Sequence, residues 1–414
     1  MSLELVTNDG QGLRLGRELA RGGEGTVFEV AGSSELVAKI YHEKPSLLRS
    51  EKLFAMATSS SDGLRRISAW PLKTLHERNS TVRGFVMERV SNQRDIHLLY
   101  GPKTRLREFP DKSYRFLTHV AANLARAFAV VHQHGHAIGD VNQGGVCVSA
   151  QGTVTLVDCD SFQISSGSRD FSCDVGIPIY QPPELQSVRT FRGLHREANH
   201  DLFGLAVLVF QTLFLARHPF AGAFLGDGEM PIERAIREYR FAYARDAGRR
   251  QMKQPPATLG LGTVPAALAM LFERAFLEEG SRQARPSALE WVAALEAFAN
   301  ELIDCPQNKG HSHLRTLQSC PLCALESRTG TLLFLPPQSS STVSTPTVKL
   351  DEVWRGIVNL VEGSRLPSAD ELRRMPQPAL SPSPEIVQYV RRKQHARNIL
   401  LWGIAASVLE RRTG

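Results

Sequence analysis

The spacing of apolar residues changes near residue 113, and this change divides roughly the first 300 residues into two parts. Residues 13–41 alternate between apolar and polar around glycine clusters, which predicts three antiparallel strands joined by turns. A helical segment at 46–57 follows, and two further strands are predicted at 67–75 and 82–90. From Ser113 onward apolar residues recur every three or four positions, as in helices. Further helical patterns lie at 199–216, 231–240, 264–277 and 286–302. We therefore expect an α+β chain in which a small antiparallel sheet precedes a helical region.

A glycine-rich segment precedes a lysine that lies within an apolar strand. Gly22 and Gly25 would let backbone amides approach phosphate oxygens because neither carries a Cβ, although an ordinary hairpin turn has the same composition. Lys39 lies in the run Val37-Ala38-Lys39-Ile40. Burial of its ammonium costs several kcal/mol unless the charge is paired. Lys39 therefore predicts a nearby anion, such as a nucleotide phosphate.

Six later segments extend this pattern. They lie at 85–90, 138–142, 158–162, 182–184, 199–204 and 285–287. In this order the segments resemble those of the protein kinase superfamily, over about residues 10–325. The motifs GDVNQG, VDCDSF and RHPFAG are similar to those of a bacterial branch of this superfamily. Members of that branch are encoded beside phosphatases and metal-resistance-type stress proteins. The resemblance implies a bilobal protein-kinase-like fold, with a sheet lobe at 1–90 and a helical lobe at 91–303.

The resemblance also implies roles for individual residues. Lys39 would contact the phosphates of ATP and pair with Glu51 on the helical segment, and Asp158 would hold Mg²⁺ or Mn²⁺. Asp140 would orient the substrate hydroxyl, with Lys39 and Asn142 as further catalytic residues. The remaining nucleotide-binding positions are Gly22, Gly23, Gly25, Val27, Ala38, Met87, Glu88 and Val90.

Two structural contacts follow from the same resemblance. Glu184 and Arg285 would form a buried ion pair that braces the helical lobe. Asp201 would accept hydrogen bonds from the backbone of the loop that carries Asp140. Both contacts would fix the helical lobe around the catalytic loop.

The sequence departs from the family pattern at three positions near the expected metal site. Asn142 stands where lysine is usual, Gly145 where asparagine is usual, and Asp160 where glycine is usual. Because Mg²⁺ prefers oxygen ligands, Asp160 or Asn142 could replace the ligand that Gly145 lacks. The first functional hypothesis is an active Ser/Thr-type protein kinase. The alternative is a pseudokinase that serves as a nucleotide-binding scaffold or sensor in a bacterial stress-response or defence system.

A cysteine and histidine cluster follows the predicted helical lobe, at 304–326. Cys305, His311, Cys320 and Cys323 have the ligand types and the C-x2-C spacing of a tetrahedral Zn²⁺ site. His313 competes with His311 for the fourth position, and the family resemblance favours His311. Four protein ligands would close the site, so we expect a structural zinc that stabilises the end of the lobe.

Charge, cysteine content and the C-terminal segment indicate the cellular compartment and the kinds of partner. The net charge of +7 is scattered, which indicates solvated surface and no direct nucleic-acid partner. Six cysteines in so long a chain do not make a disulfide scaffold, and three of them lie within 19 residues at metal-like spacing. With no secretory leader, this predicts a cytoplasmic protein. After a predicted flexible linker at 327–348, residues 349–414 predict helices that dock a partner, touch a membrane surface or form a short core. The expected partners are a protein substrate and an operon-encoded phosphatase or stress protein.

Overall fold

A computed structural model of the chain describes residues 5–77, 81–167 and 169–335. These residues fall within one compact unit, which spans Met1–Gln338. The predicted helical tail at 349–414 lies outside the described residues, as does the predicted linker from residue 336 onward. The start of the linker was predicted too early, because residues 327–329 belong to a helix and Leu333 and Phe334 are buried. Among the residues that the structure describes, none of the helices combines the length and the hydropathy that a bilayer crossing requires.

The first lobe is a seven-stranded antiparallel sheet with the strand order β2-β1-β6-β7-β5-β4-β3. Its strands are β1 (Leu5–Thr7), β2 (Gly12–Leu13), β3 (Leu15–Arg21), β4 (Gly25–Val30), β5 (Leu36–Tyr41), β6 (Lys73–Glu77) and β7 (Val82–Glu88). Five strands were predicted, and β3 to β7 correspond to them, although β6 begins several residues later than expected. Strands β1 and β2 were missed because segments of two or three residues are too short to show alternation.

Strand β5 lies inside the sheet, between β4 and β7, and this position buries Lys39. Lys39 is opposite Phe85 in the register with β7. A Cβ at Gly84 would lie 1.9 Å from the Lys39 carbonyl oxygen, so only glycine lets the two strands approach here. Successive side chains of a strand point to opposite faces. Ala38 therefore packs in the apolar cluster of one face, and Lys39 lies on the other.

Two helices connect β5 to β6. Helix α1 (Leu47–Thr58) begins after Ser46, whose side chain accepts a hydrogen bond from the Arg49 amide, close to the predicted start. Leu53 of α1 packs with Tyr41 and Phe85 on the same sheet face as Lys39. Helix α2 (Asp62–Ile67) has an equivalent serine cap at Ser61. The side of α1 that faces the sheet is therefore next to Lys39.

The second lobe is helical and contains most of the apolar core. Its helices are α3 (Ile96–Tyr100), α4 (Pro102–Glu108), α5 (Tyr114–Gln133), α6 (Ala198–Leu213), α7 (Ile232–Arg237), α8 (Ala266–Phe276), α9 (Glu278–Arg282), α10 (Ala288–Glu301) and α11 (Pro321–Thr329). Every residue of α6 from Asp201 to Leu213 is buried, so this helix is the centre of the lobe. The predicted helices at 113 onward, 199–216, 264–277 and 286–302 correspond to α5, α6, α8 and α10.

Short strands complete the second lobe. They are β8 (Gln93–Asp95), β9 (Val146–Ser149), β10 (Val154–Leu156), β11 (Ile164–Ser166), β12 (Arg169–Phe171), β13 (Ala223–Phe224), β14 (Met252–Lys253), β15 (Leu302–Asp304) and β16 (Ser312–Leu314). Strands β9 and β10 pair antiparallel, and the Val157 amide donates to the Gly145 carbonyl at 3.0 Å. This hairpin brings the loop before β9, which carries Asp140, next to the loop after β10, which carries Asp158.

Both structural contacts expected of the helical lobe are present. The Arg285 guanidinium donates to the two carboxylate oxygens of Glu184 at 2.7 and 2.9 Å. The carboxylate of Asp201 accepts from the amides of Ile138 at 2.7 Å and Gly139 at 2.8 Å. Because Asp201 belongs to the buried helix α6, it fixes the loop that carries Asp140 to the core of the lobe.

Candidate active site

A cavity of about 400 Å³ lies between the sheet and the segment after β10. Its lining includes the predicted site residues Val27, Lys39, Met87, Glu88, Val90, Asp158 and Asp160. Leu19 and Val27, on the strands that flank the glycine-rich turn, also line it, so the turn lies at its edge. Within that turn the Gly22 amide donates to the Gly25 carbonyl at 2.9 Å. Gly22, Gly23 and Gly25 thus form a tight turn beside the cavity. Such a turn fits both a phosphate-binding loop and an ordinary hairpin.

The prediction for Ala38 is wrong. Ala38 is fully buried in the apolar cluster on the face of β5 that points away from the cavity. Its neighbour Val37 lines the cavity instead. The error is one of strand parity, because residues 37 and 39 share a face and residue 38 lies on the other.

The Lys39 ammonium has two carboxylate partners within the cavity. Its Nζ lies 2.8 Å from Asp160 Oδ1 and 3.1 Å from Asp158 Oδ1. Burial by itself would lower the pKa of Lys39, but the negative charges of Asp160 and Asp158 outweigh it and raise the pKa above its usual value. Lys39 is therefore held in its charged form at the floor of the cavity.

Asp160 is enclosed by three donors. Besides Lys39, the Tyr41 hydroxyl donates to its Oδ2 at 2.7 Å, and Arg49 donates to the same oxygen at 3.1 Å. Burial would raise the pKa of this carboxyl, but the charge and hydrogen bond of Lys39 hold it below its usual value. The expectation that Asp160 coordinates Mg²⁺ is contradicted, because both oxygens already accept from internal donors and the side chain is only 1% exposed.

The expected pairing of Glu51 with Lys39 is also contradicted. The Glu51 carboxylate forms an ion pair with Arg169 at 2.7 Å. In α1, positions three and four apart share a face, and the buried face contains Lys52, Leu53 and Met56. Arg49 is on this side, whereas Glu51 points away from the sheet. Helix α1 thus presents a cation to Asp160, where an acid beside Lys39 was expected.

Lys52 is a second cation on that face of α1. Its ammonium is buried and donates to the Ser172 carbonyl at 3.2 Å. Burial lowers the pKa of Lys52 to about 8. Neither Arg49 nor Lys52 was predicted as a site residue, although their spacing relative to Leu53 and Met56 places them on the inner helix face.

Asp140 faces a second, smaller cavity of about 160 Å³ that it shares with Asp158. Its Oδ1 atom is buried and has no hydrogen-bond partner among the described residues. Burial raises the pKa of this carboxyl. The preceding Gly139 has φ of +71°, and a Cβ there would lie 2.6 Å from the Cys173 Cβ, so glycine is required at the turn that aims Asp140. The site therefore offers a buried acceptor to a hydroxyl donor.

Among the side chains near Asp140 that were expected to bind a metal, Asp158 is the suitable carboxylate. The Asn142 side-chain oxygen accepts a hydrogen bond from the backbone amide of Gly144 at 2.8 Å, and its side-chain nitrogen donates to the backbone carbonyl of Asp140 at 2.9 Å. The Asn142 side chain is therefore engaged within the loop. Gly145 contributes no side chain. The Asp158 side chain is 71% exposed, with φ of +55°, a conformation that Asp tolerates better than most residues. Its carboxylate lines both cavities, so it could hold a metal ion beside a nucleotide phosphate.

The four predicted zinc ligands converge at the end of the helical lobe. The ligand atoms of Cys305, His311, Cys320 and Cys323 all lie within 4.8 Å of one another. In a tetrahedral site with Zn–S bonds of about 2.3 Å, neighbouring ligand atoms lie about 3.8 Å apart. The observed separations of 3.3 Å between His311 Nδ1 and Cys323 Sγ, and 3.5 Å between Cys305 Sγ and Cys323 Sγ, are near that spacing. The donor set therefore fits a closed zinc site.

The second histidine of the segment is not part of this cluster. His313 Nδ1 lies 3.0 Å from the Leu314 carbonyl oxygen. His311 instead directs Nδ1 into the cluster, and its Nε2 lies 3.2 Å from Glu326 Oε1. A carboxylate on the outer nitrogen orients a metal-binding histidine. Of the two histidines, His311 is the one whose ring nitrogen lies among the three cysteines.

Comparison with known proteins gives relatives along almost the whole chain. No family model matches. Protein kinase YegI of Escherichia coli O157:H7 is 38% identical over 416 residues, which cover 98% of this chain and 64% of that protein. Protein kinase YegI of Escherichia coli strain K12 is 39% identical over 355 residues, which cover 85% of this chain and 55% of that protein. The chain thus spans less than two thirds of the length of these curated relatives.

A solved structure supplies the fold comparison. The autoinhibited serine kinase domain of the giant muscle protein titin matches with a TM-score of 0.50 and 15% identity, covering 70% of this chain and 81% of that one. A match at this level of identity shows the fold alone. The fold is therefore that of the protein kinases, and the relatives along the sequence support the protein kinase superfamily as the family of this chain.

Proposed function

We propose that this chain is an ATP-dependent protein kinase that transfers the γ-phosphate of ATP to a serine or threonine hydroxyl of a protein. The observation that supports this proposal most strongly is the arrangement of Asp140 and Asp158. They line one small cavity, and Asp158 also lines the larger cavity that contains Lys39. A nucleotide in the larger cavity would therefore direct its terminal phosphate toward Asp140.

The proposed roles follow from charge and exposure. Lys39 contacts the nucleotide phosphates, since its ammonium is charged and lies in the cavity. Asp158 holds Mg²⁺ or Mn²⁺, which supplies positive charge that stabilises the phosphates during transfer. Asp140 accepts a hydrogen bond from the substrate hydroxyl and orients it toward the phosphorus atom. The adenine occupies the end of the cavity lined by Met87, Glu88 and Val90.

The proposal predicts metal-dependent labelling of a protein acceptor. The purified full chain, incubated with γ-labelled ATP and Mg²⁺ or Mn²⁺, should incorporate label into itself or into a general acceptor protein, and a chelator should prevent this. Asp140→Ala should bind ATP but incorporate at least about 100-fold less label, the low end of what a positioned base contributes. Equal labelling of both proteins, or none of either, contradicts the proposal.

A second candidate is a nucleotide-binding pseudokinase in a stress-response or defence system. One observation favours it: Gly145 has no side chain, and the Asn142 and Asp160 side chains are already engaged. The site would then hold a single metal, on Asp158. ATP binding by the wild-type protein without any transfer of label would support this candidate over the first.

We also propose that Cys305, His311, Cys320 and Cys323 hold a structural zinc ion. The cluster belongs to the segment after α10, and Glu326 joins it to residue 333 by accepting from the Leu333 amide at 2.6 Å. Arg105 of α4 in turn donates to the Leu333 carbonyl at 2.7 Å. The metal would therefore fasten this segment to the core of the helical lobe.

Metal analysis tests the zinc proposal. The purified protein should contain about one zinc ion per chain. Cys323→Ser should lose this zinc and unfold at a lower temperature, because metal binding contributes directly to the stability of such sites. Cys147→Ser, which removes a cysteine far from the cluster in sequence, should keep the zinc. Protein without zinc, or a Cys323→Ser variant that retains it, contradicts this proposal.

We also propose that the protein is cytoplasmic and that it acts on a protein substrate. All six cysteines are free, which is consistent with a reducing cytoplasmic environment. A kinase requires a protein substrate, and the family resemblance supports an operon-encoded phosphatase or stress protein as a further partner.

A further inference from the structure

Asp160 is a buried carboxylate whose partners come from two separate elements. Lys39 and Tyr41 belong to β5, and Arg49 belongs to α1. The side chain is 1% exposed. A buried carboxylate without partners costs several kcal/mol, so these donors determine its position. Asp160 in turn limits where the Lys39 ammonium can lie.

Asp158 alone is a poor anchor for Lys39. Its side chain is mostly exposed, and in the proposed function its carboxylate also binds a metal ion. A carboxylate that is shared with a metal attracts a lysine less strongly, because the two cations compete for the same charge. Asp160 has no such competing metal, since both of its oxygens accept from protein donors. Asp160 would therefore remain a partner of Lys39 with a metal ion held at Asp158.

Helix α1 supplies no carboxylate for this purpose. Glu51 is the single acidic residue between Leu47 and Thr58, and it pairs with Arg169. What α1 provides instead is Arg49, which contacts Asp160 at 3.1 Å and Glu24 of the glycine-rich turn at 2.5 Å. The helix is thus connected to the site through a cation and the carboxylate of Asp160.

We propose that Asp160 is the positioning residue that holds Lys39 against the nucleotide phosphates, and that Arg49 connects α1 and the glycine-rich turn to this same carboxylate. The proposal rests on the proposed kinase function for its effect on catalysis. The contact between Asp160 and Lys39 is independent of that function. In this proposal Asp160 coordinates no metal and acts through Lys39.

The kinetic test compares Asp160→Asn with Glu51→Gln in the full chain. Both changes replace a carboxylate by an amide of the same size. Asp160→Asn should lower kcat/KM for ATP by about 10- to 100-fold, the effect of a misplaced positioning group, and leave KM for the acceptor protein unchanged. Glu51→Gln should stay within about twofold of wild type, because its partner Arg169 is at the surface. The reverse order of effects overturns the proposal.

A second measurement remains informative if the protein transfers no phosphate. Acylation of Lys39 by an amine-reactive ester, followed by mass spectrometry between pH 7 and 10, reports how much of the amine is neutral. Loss of the Asp160 charge should raise the Lys39 acylation rate at pH 8 by about tenfold, equivalent to one pKa unit, while Glu51→Gln leaves it unchanged. Asp160→Glu, which keeps the charge, should give a smaller rise. A pH profile identical to wild type in whichever Asp160 variant folds overturns the proposal.

Discussion

Asp158→Ala should lower phosphoryl transfer by more than about 100-fold and abolish the dependence of ATP binding on Mg²⁺, because a bound metal contributes several kcal/mol of charge stabilisation. Asp160 and Asn142, the side chains expected to replace a missing metal ligand, are not free to replace Asp158. Both oxygens of Asp160 are occupied by Lys39, Tyr41 and Arg49, and the Asn142 amide is engaged within its loop. Titration calorimetry with and without Mg²⁺ measures the binding part of this prediction.

Two controls make the Asp158 experiment specific. Asp227→Ala removes an exposed carboxylate far along the chain and should leave both binding and transfer as in wild type. Asp160→Asn should weaken ATP binding but keep its dependence on Mg²⁺, because Asp160 does not contact the metal in our proposal. Mg²⁺-dependent binding that survives in Asp158→Ala, or is lost in Asp160→Asn, would reverse the assignment of the two carboxylates.

Glu184→Ala should lower the free energy of unfolding by about 3 kcal/mol, because it leaves the Arg285 guanidinium buried without a counter-charge. The Arg285 side chain is completely buried and also donates to the Asn199 and Ala275 carbonyls, which soften the loss. Denaturation in urea measures the change. As a control, Glu296→Ala removes the exposed partner of Arg126 and should cost less than about 1 kcal/mol. Equal effects of the two variants would contradict the structural role of the Glu184 pair.

The same ion pair has a predictable pH dependence. Burial would raise the pKa of Glu184, but the hydrogen bonds and charge of Arg285 hold it below its usual value. A carboxyl with a lowered pKa in the folded state stabilises the protein above its ordinary pKa. This contribution is lost as the pH falls through the lowered value. The stability difference between wild type and Glu184→Gln should therefore be constant near neutral pH and shrink in acid.

Local sequence patterns were sufficient for much of the fold. The spacing of apolar residues predicted α5, α6, α8 and α10, and the serine cap at Ser46 lies where the first helix was expected to begin. The C-x2-C spacing and one histidine predicted a cluster whose members do meet. These features depend on residues close together in sequence or on a repeated spacing, so they can be read from the chain itself.

Contacts between distant segments could not be read in the same way. Lys39 and Asp160 are separated by 121 positions, and nothing in either local sequence indicates that they meet. Glu51 was chosen because it is the one acid in its helix, but the rotation of α1 is set by the packing of Leu53 and Met56. For Ala38 the necessary information was present, since strand alternation alone distinguishes residue 38 from residues 37 and 39.

We propose that this cleft transfers the terminal phosphate of ATP, and the position of the label tests this transfer most directly. Parallel reactions with α-labelled and γ-labelled ATP, in the presence of Mg²⁺, should label a protein acceptor from the γ-phosphate and leave it unlabelled from the α-phosphate. In Asp140→Ala both nucleotides should bind without transfer. Transfer from the α-phosphate, or bound ATP with no transfer from either in the wild-type protein, would contradict the kinase assignment.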